Sequence, residues 1–503
     1  MSQSQAIMLD QQGYPAAVAA RRLRVLLIQP PEALENLLGK GKLFAQPLPP
    51  LGLMYLAAQL RRHGFPVEIL DAHFQAMSVE EAAGYALAKR PDLVGISCLT
   101  SNGPFVYHLC RRLKKLMPGA KLVLGNHHAS FFASFFLRKA GADFVAHGSG
   151  EITLVELAQS LEQGDGGFAD ILGLSWKDGQ RVLTNPARPV NRRLDELAFP
   201  ARDLVPFHLY QDNPHRRCGR NRMALMVSSR GCVNRCRFCC VNEMGKYSLR
   251  SAGNVMAEIE KVVKEFGVRF ISFADPLFTT NRPRTVELCE RLINAQLPLT
   301  WWCEGHAAHV DQELLELMRR AGCTAMSYGI ESGVQRILDS MGKRTTPDML
   351  RQAVGMTKSA GIEVSGLFIL GWLEETERDL EETLAFALSL PLDTAQFAIA
   401  VPYPGTALYQ TLVQRGEIKL ADEDDPRFIE DWFRYSSYIS YTQAEPIWLP
   451  KGFTSTDLKA RQKRLVRRFY LRPRQLWLQI KKLNWSDPVH TLRFLRAARS
   501  SVI

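Results

Sequence analysis

Residues 230–240 read RGCVNRCRFCC and place Cys232, Cys236 and Cys239 in the spacing C-x3-C-x2-C. Cysteine thiolates are the usual protein ligands of iron–sulfur clusters, and a cubane cluster normally takes four of them. Three thiolates on one short loop therefore predict a cluster with one iron left open for another ligand. Structural thiols or a zinc knuckle are the alternatives, but structural zinc sites want four ligands, usually in two separated pairs. The neighbouring sequence offers no second pair, and Cys240 lies outside the spacing and is not expected to bind iron.

The cysteines follow directly on an apolar segment rich in strand-forming residues, ALMVSS at 224–229. This order predicts a loop at the carboxyl end of a strand, where barrel enzymes keep their chemistry. Strand and helix patterns then alternate to about residue 415, with predicted strands at 225–229, 270–274, 299–302, 324–328, 363–370 and 394–401. Six strand–helix units predict a partial TIM-type (βα)6 barrel over residues 224–415.

The N-terminal part of the chain shows the same alternation. Short apolar runs at 23–28, 67–71, 92–97, 121–125 and 142–145 are joined by amphipathic helical segments. Such a pattern predicts a parallel sheet covered on both faces, a doubly wound Rossmann-like domain over residues 23–162. A ligand would bind in the crevice beyond the carboxyl ends of its strands. The candidate residues at those ends are Ser97, Leu99, Thr100, Gly125, Asn126, His127, Gly148 and Glu151.

The remaining segments are predicted from turn signals and charge. Residues 1–22 are expected to be irregular, and residues 163–223 to form a linker that contains a hairpin with an Asp-Gly turn at 178–179. Residues 416–503 are expected to form a basic helical C-terminal domain. The net charge of +12 is concentrated there, because residues 451–503 contain 14 Lys and Arg against two acids, a difference of 12.

The composition restricts the class of protein. The 503 residues are 46% hydrophobic, as in an ordinary globular protein, and ten cysteines are too few for a disulfide scaffold. The N-terminus does not resemble a signal peptide, and we find no run long enough to span a bilayer. We therefore expect a cytoplasmic protein, peripheral to the inner membrane face if its basic, aromatic-rich tail binds anionic lipid. A solvated helical cap is the simpler interpretation of that tail, and binding to nucleic acid is not expected.

The cysteine motif, with Phe238 just before its last cysteine, resembles that of the radical S-adenosylmethionine (SAM) superfamily. The resemblance implies a [4Fe–4S] cluster on Cys232, Cys236 and Cys239, whose open iron chelates SAM. It also implies that the backbone of Phe238 lies against the adenine. Asp275 and the GIES segment, with Gly329, Glu331 and Ser332, are expected to approach SAM in the same way. PYPGT at 402–406 matches a family motif, whereas GWLEET at 371–376 departs from one, so that loop is expected to shape a substrate pocket.

The N-terminal domain resembles cobalamin-binding domains. Ser97-x-Leu99, followed 25 residues later by Gly125, is similar to the S-x-L…G-G signature, with Asn126 in place of the second glycine. The D-x-H-x-x-G motif, whose histidine ligates cobalt in many such domains, is absent from the first loop. His73 follows the second predicted strand and is interpreted as an ordinary loop residue. The resemblance therefore implies cobalamin bound without a protein histidine, with His127 or His128 near the corrin or its tail. Packing within the loop is the alternative for these two histidines.

These resemblances together cover nearly the whole chain from Leu23. They imply a cobalamin-dependent radical SAM enzyme that transfers a methyl group to an unactivated carbon, with an external flavodoxin- or ferredoxin-type electron donor. The basic tail favours a hydrophobic substrate such as a terpenoid or hopanoid lipid. A cyclase of the anaerobic tetrapyrrole type and a non-catalytic corrinoid sensor are the alternatives. No side chain outside the cofactor contacts is expected to act as a catalytic acid or base.

Overall fold

The computed structural model describes residues 22–32, 48–164, 166–210, 222–241, 246–437 and 444–482. They form an α/β protein with a seven-stranded sheet, a six-stranded parallel sheet and a short two-stranded ribbon. One continuous hydrophobic core contains residues from both large sheets, including Leu27 of the first and Phe273 of the second. Except for its last residue, the irregular segment expected at 1–22 lies outside the described residues.

Seven strands form the N-terminal sheet: β1 Val25–Gln29, β2 Val67–Asp71, β3 Leu93–Ser97, β4 Lys121–Gly125, β5 Phe144–Ala146, β6 Leu174–Asp178 and β7 Arg181–Thr184. Their order is β2-β1-β3-β4-β5-β6-β7, and the first five run parallel. The five predicted strands are all present within about two residues of the expected bounds. Four of the five residues of β1 are fully buried, as expected for a strand covered by helices on both faces.

The predicted hairpin belongs to this sheet. β6 pairs antiparallel with β5, with Val145 opposite Ser175, and β7 pairs antiparallel with β6. Gly179 has φ 57° at the turn, a conformation that glycine adopts without steric cost. The expected linker at 163–223 thus contributes two strands to the N-terminal sheet instead of only connecting the two domains.

Six parallel strands form the second sheet: β8 Met223–Met226, β11 Phe270–Phe273, β12 Thr300–Gly305, β13 Cys323–Glu331, β14 Glu363–Leu370 and β15 Thr394–Ile399. A ribbon of β9 Ser229–Arg230 and β10 Ser248–Leu249 lies between the first two in the chain. The strands follow the order of the chain from β8 at one edge to β15 at the other. This is the predicted partial barrel, and its carboxyl ends carry the cysteine loop and the GIES segment.

Helices connect the strands of both sheets. They are α1 Leu51–Arg62, α2 Val79–Lys89, α3 Gly103–Leu116, α4 His127–Phe131, α5 Ala133–Phe135, α6 Gly150–Gln163, α7 Ala252–Phe266, α8 Arg282–Ala295, α9 Gln312–Arg320, α10 Gln335–Ser340, α11 Pro347–Ser359, α12 Glu377–Ser389, α13 Ala407–Gln414, α14 Arg427–Glu430, α15 Ser455–Tyr470 and α16 Pro473–Lys482. No helix among the described residues combines the length and apolar character needed to cross a bilayer.

The basic helix α15 covers the edge strand of the barrel. Tyr470 donates its hydroxyl proton to the Ala395 carbonyl (2.9 Å) and accepts from the Ala395 amide (3.1 Å). Gln462 donates to the Phe397 carbonyl, also on β15. An uncovered edge strand would offer these backbone groups to other chains. Part of the positive charge of α15 is neutralised at the same time, because Arg464 pairs with Glu381 of α12.

The segment before α15 packs on the N-terminal domain. Trp432 is fully buried and contacts Phe132, Phe136 and His128, with ring centroids 5.3, 5.6 and 4.3 Å away. This aromatic cluster joins the C-terminal region to the helices that follow β4. The carboxyl ends of the two sheets are thereby brought into the same region of the molecule.

Candidate active site

The three cysteines lie on the loop between β9 and β10, at the carboxyl end of the barrel. Cys232, Cys236 and Cys239 are each partly buried, and the Cys239 amide donates to the Cys236 carbonyl (3.1 Å) in a tight turn. Burial raises the pKa of the Cys239 thiol to about 12, with smaller contributions from Cys240, Cys236 and Cys232. Among the described residues, no three His, Cys, Asp or Glu side chains are grouped around one metal-ion position. In a cubane each of the three cysteines would bind a different iron, whereas a structural zinc site would need a fourth ligand.

Arg237 fixes this loop between two barrel helices. Its amide donates to the Met341 carbonyl (2.9 Å) at the end of α10, and its carbonyl accepts from the Leu408 amide (2.9 Å) in α13. Its guanidinium donates to the Ser340 carbonyl (3.2 Å) and to the Thr411 hydroxyl (3.1 Å). Because Arg237 directly follows Cys236, these four hydrogen bonds hold the middle of the motif in place.

Asp275, expected to approach SAM, accepts hydrogen bonds from the two serines that precede the cysteine loop. One carboxylate oxygen accepts from the Ser228 amide (2.6 Å), and the other accepts from the Ser228 hydroxyl (2.5 Å) and the Ser229 hydroxyl (2.7 Å). Asp275 is 1% exposed, and burial raises its pKa even though Arg284 opposes the shift. These hydrogen bonds fix the segment that leads into the cysteine loop, and the contact between Asp275 and SAM stays a prediction.

The GIES segment places one charged group at the end of β13. Glu331 is 6% exposed, has φ +65° and accepts a hydrogen bond from Lys343 (2.7 Å). A Cβ at Gly329 would lie 2.3 Å from the Glu331 Oε1 and 2.6 Å from the Lys343 Nζ, so a larger residue there would displace the ends of these two side chains. Ser332 is fully buried, and its hydroxyl lies 3.0 Å from the Thr383 hydroxyl, which anchors the strand end to α12; its approach to SAM stays a prediction.

Phe238 rests on the loop at 371–376. Its ring meets that of Trp372 edge to face at 6.0 Å, and the Trp372 indole donates to the Ser340 hydroxyl (2.6 Å). Trp372 is fully buried, so its ring supports the cysteine motif, and a role of this loop in shaping a substrate pocket stays a prediction. Glu375 holds the loop by accepting from the amides of Gly371 (2.5 Å) and Trp372 (3.2 Å).

The predicted cobalamin crevice is open at the carboxyl ends of β3, β4 and β5. Leu99 is 39% exposed, and no atom lies within 4 Å of the position that a Cβ would take at Gly125 or Gly148. Thr100, in contrast, is buried at the rim. Asn126 has φ 82° and donates from its side-chain amide to the Ser97 hydroxyl (3.4 Å). A glycine-like backbone at Asn126 and space beside two glycines fit the close approach of a large planar ligand.

Two residues predicted to bind cobalamin also make contacts between the domains, and their role toward cobalamin stays a prediction. His127 Nε2 lies 2.5 Å from the Pro404 carbonyl, in the PYPGT loop of the barrel. Glu151, at the start of α6, forms an ion pair with Arg230 (2.6 Å), the first residue of the cysteine loop. The Arg230 guanidinium also lies 5.2 Å from the centre of the Tyr55 ring. The crevice and the cysteine loop are therefore in direct contact through Glu151 and Arg230.

Sequence reasoning missed two residues at the barrel mouth, Lys343 and His306. His306 directly follows β12 and is 6% exposed. Its Nδ1 accepts from the Ala308 amide (3.2 Å). Burial, assisted by the charge of Lys343, lowers the His306 pKa to about 4, so the ring is neutral. The position just after a barrel strand was the one available signal for His306, and Lys343 had none.

Family models match both halves of the chain. Residues 42–158 match the B12 binding domain, and residues 226–387 match the radical SAM superfamily. A solved structure titled as the radical SAM methyltransferase TsrM from Kitasatospora setae, with cobalamin and a [4Fe–4S] cluster bound, has the same fold. It superposes with a TM-score of 0.67 over 93% of this chain and 90% of that one, at 18% identity. The fold and the two matched domains together define a radical SAM protein with an N-terminal B12-binding domain.

Relatives in sequence extend the match to nearly the whole length. An uncharacterized methyltransferase of Pyrococcus horikoshii is 30% identical over 90% of this chain and 94% of its own length. An anaerobic magnesium-protoporphyrin IX monomethyl ester cyclase of Cereibacter sphaeroides is 30% identical over 90% of this chain and 71% of its own. The chain belongs to the family of cobalamin-dependent radical SAM enzymes, whose cofactors are a [4Fe–4S] cluster, SAM and cobalamin.

Substitution of each cysteine should distinguish the three predicted cluster ligands from the neighbouring Cys240. We expect Cys232→Ala, Cys236→Ala and Cys239→Ala each to lose most iron and inorganic sulfide, because a cubane held by two protein thiolates is left incompletely ligated. Cys240→Ala is the matched control and should keep the iron content of the wild type. The measurement is iron and sulfide per chain after anoxic reconstitution. Equal iron loss in Cys240→Ala would contradict the assignment.

Glu375 should make stability depend on pH. Burial raises its pKa from 4.5 to about 7, so the folded state binds a proton that the unfolded state has already released. Stability from this group is present at pH 4.5 and lost as the pH rises to 7, a change of about 3 kcal/mol at 1.36 kcal/mol per pKa unit.

Glu375→Gln should remove that dependence. Its melting temperature, measured anoxically relative to the wild type, is expected to increase by several degrees between pH 5 and pH 8, on the order of 2–4 °C per kcal/mol. Glu374→Gln changes the exposed neighbour and should leave the pH dependence of the wild type intact. Parallel pH profiles for Glu375→Gln and the wild type would refute the assignment.

Proposed function

We propose that this enzyme transfers a methyl group to an unactivated carbon of a hydrophobic small molecule, for which a terpenoid or hopanoid lipid is a suitable class. The observation that carries the proposal is the ion pair between Glu151 and Arg230. It places the open crevice of the B12-binding domain beside the loop of cysteines, so a substrate lying between them would be within reach of both cofactors. When bound, the cluster with SAM supplies a 5′-deoxyadenosyl radical, and cobalamin supplies the methyl group.

The residues of the chain have binding and positioning roles in this proposal. Cys232, Cys236 and Cys239 hold the cluster, and Phe238 and Glu331 line the SAM side. Glu331 keeps one carboxylate oxygen beyond its hydrogen bond to Lys343, and that oxygen can accept from SAM hydroxyl or ammonium groups.

The crevice residues form the cobalamin side of the same proposal. Ser97, Leu99, Gly125, Asn126 and Gly148 surround the open space and leave room for the corrin ring and its tail. Exclusion of water from a reactive intermediate is the main contribution expected from such walls, and we assign no catalytic acid or base.

A cyclisation reaction is the second candidate. It is favoured by one observation, the 30% identity to the anaerobic cyclase of Cereibacter sphaeroides over 90% of this chain. That relative is named for a large ring substrate, and both reactions would use the same two cofactor sites. The mass of the product separates them, because methyl transfer adds one CH2 unit and ring formation adds none.

Anoxic reconstitution with cobalamin, SAM and a low-potential electron donor of the flavodoxin or ferredoxin type tests the proposal. We expect extracts of cells that lack the protein to yield a product heavier by one CH2 unit, together with 5′-deoxyadenosine, by mass spectrometry. Cys236→Ala, reconstituted in parallel, should give neither. A product of unchanged carbon count would favour cyclisation, and absence of 5′-deoxyadenosine would leave a corrinoid-binding sensor.

We further propose that α16, together with Leu471 two residues before its start, contacts an anionic membrane surface. Leu471, Leu476 and Ile480 expose 55%, 44% and 46% of their surfaces, within a region whose charge is strongly positive. Apolar side chains among cations are typical of helices that lie in the plane of a membrane. A surface of this kind would give the enzyme access to a lipid substrate.

Vesicle flotation tests this surface. Leu476→Ser with Ile480→Ser should reduce binding to vesicles that contain anionic lipid, and neutral vesicles should bind the wild type weakly. Leu87→Ser, which changes an apolar residue of similar exposure (42%) on α2, is the matched control and should bind as the wild type does. Removal of the whole tail is less informative, because α15 also covers β15. Equal flotation of all three proteins would exclude the surface.

A further inference from the structure

Lys343 is a buried cation that the proposed chemistry does not use. Lys343 is 8% exposed, and its Nζ donates to the Glu331 Oε1 at 2.7 Å. An ammonium group withdrawn from water is costly unless negative charge lies close by. Burial alone would lower the Lys343 pKa, but Glu331, Cys236 and Cys239 outweigh burial and raise it. Lysine at this position therefore faces two sources of negative charge, a carboxylate and the cysteine loop.

The backbone around Lys343 shows how close the cysteine loop is. A Cβ on the preceding residue, Gly342, would lie 3.3 Å from the Arg235 carbonyl. The Met341 carbonyl accepts from the Arg237 amide at 2.9 Å. These contacts lie on either side of Cys236 in the chain, so the segment that carries Lys343 is packed directly against the middle cysteine of the motif.

We propose that Lys343 is a positioning residue that holds Glu331 at the barrel mouth and supplies the positive charge that stabilises the reduced iron–sulfur cluster. The inference rests on a cluster at Cys232, Cys236 and Cys239, and it does not depend on methyl transfer. A fixed ion pair would by itself explain the contact with Glu331, but it would not explain why that pair is packed against the cysteine loop.

The electrostatic reasoning gives the sign of the effect. Reduction adds one negative charge to a cluster already bound by three thiolates, so a nearby cation stabilises the reduced form more than the oxidised form. Loss of the Lys343 charge should therefore make reduction harder. Loss of the Glu331 charge should make it easier, because the lysine is then less neutralised. A purely structural ion pair would destabilise the fold in both variants without shifting the reduction in opposite directions.

Redox titration of the anoxically reconstituted protein, followed by electron paramagnetic resonance, tests the proposal without substrate. Lys343→Met is expected to lower the equilibrium constant of one-electron reduction about tenfold, which corresponds to 59 mV for such a couple. Glu331→Gln should shift it in the opposite direction, and Lys343→Arg should stay near the wild type. Since no substrate is needed, failure here is distinguishable from failure of the proposed reaction.

Lys358→Met is the matched control. Lys358 pairs with the buried Asp393 at 2.6 Å, on α11 and before β15, so its loss should destabilise the fold and leave the cluster potential unchanged. If Lys343→Met does not fold or load iron, the comparison of Glu331→Gln and Lys343→Arg with the wild type still decides the question. An unchanged potential in iron-loaded Glu331→Gln, or in Lys343→Met where that variant loads iron, would overturn the proposal.

Discussion

The ion pair between Arg230 and Glu151 is the contact on which the arrangement of the two domains depends. It joins the start of the cysteine loop to the start of α6, and so connects the carboxyl ends of two separate parallel sheets. Loss of one partner of a buried pair costs about 3–5 kcal/mol, and less here because the Arg230 side chain remains 25% exposed. In return, the ion pair specifies how the two domains pack, because few alternative packings would leave both charges paired.

A network of buried charged and polar side chains lies next to the Arg230–Glu151 ion pair. Tyr55 of α1 lies under Arg230 and accepts a hydrogen bond from Arg250 (3.3 Å). Arg250 and Arg202 both donate to Glu258, which is completely buried. The network therefore runs from the first helix of the B12-binding domain, through the former linker region, into the first helix of the barrel. Loss of a partner at any of these positions would leave a buried charge unpaired and destabilise the protein. The network therefore couples the stability of the two domains.

The architecture could be predicted from the sequence because strand and helix periodicity, unlike side-chain contacts, is local. All eleven strands predicted in the two sheets are present, and the cysteine spacing alone located the loop. The roles of Asp275 and Glu151 could not be predicted, because their partners Ser228 and Arg230 are 47 and 79 positions away. Both acids follow strands, which is the usual place for ligand contacts. In the structure Asp275 accepts from a backbone amide, and Glu151 forms an ion pair across the domain interface. The contact between Trp372 and Phe238 could not be predicted for a related reason, because the two residues are distant in the sequence and only the fold packs their rings together.

The docking of α15 on β15 has a consequence for synthesis of the chain on the ribosome. Tyr470 protects Ala395 although it is made 75 residues later. Until that residue has left the exit tunnel, the last barrel strand presents its backbone to the cell with nothing from this helix to cover it. Covering of this edge strand is therefore delayed until α15 has emerged, and during that interval the nascent chain is open to intermolecular strand pairing.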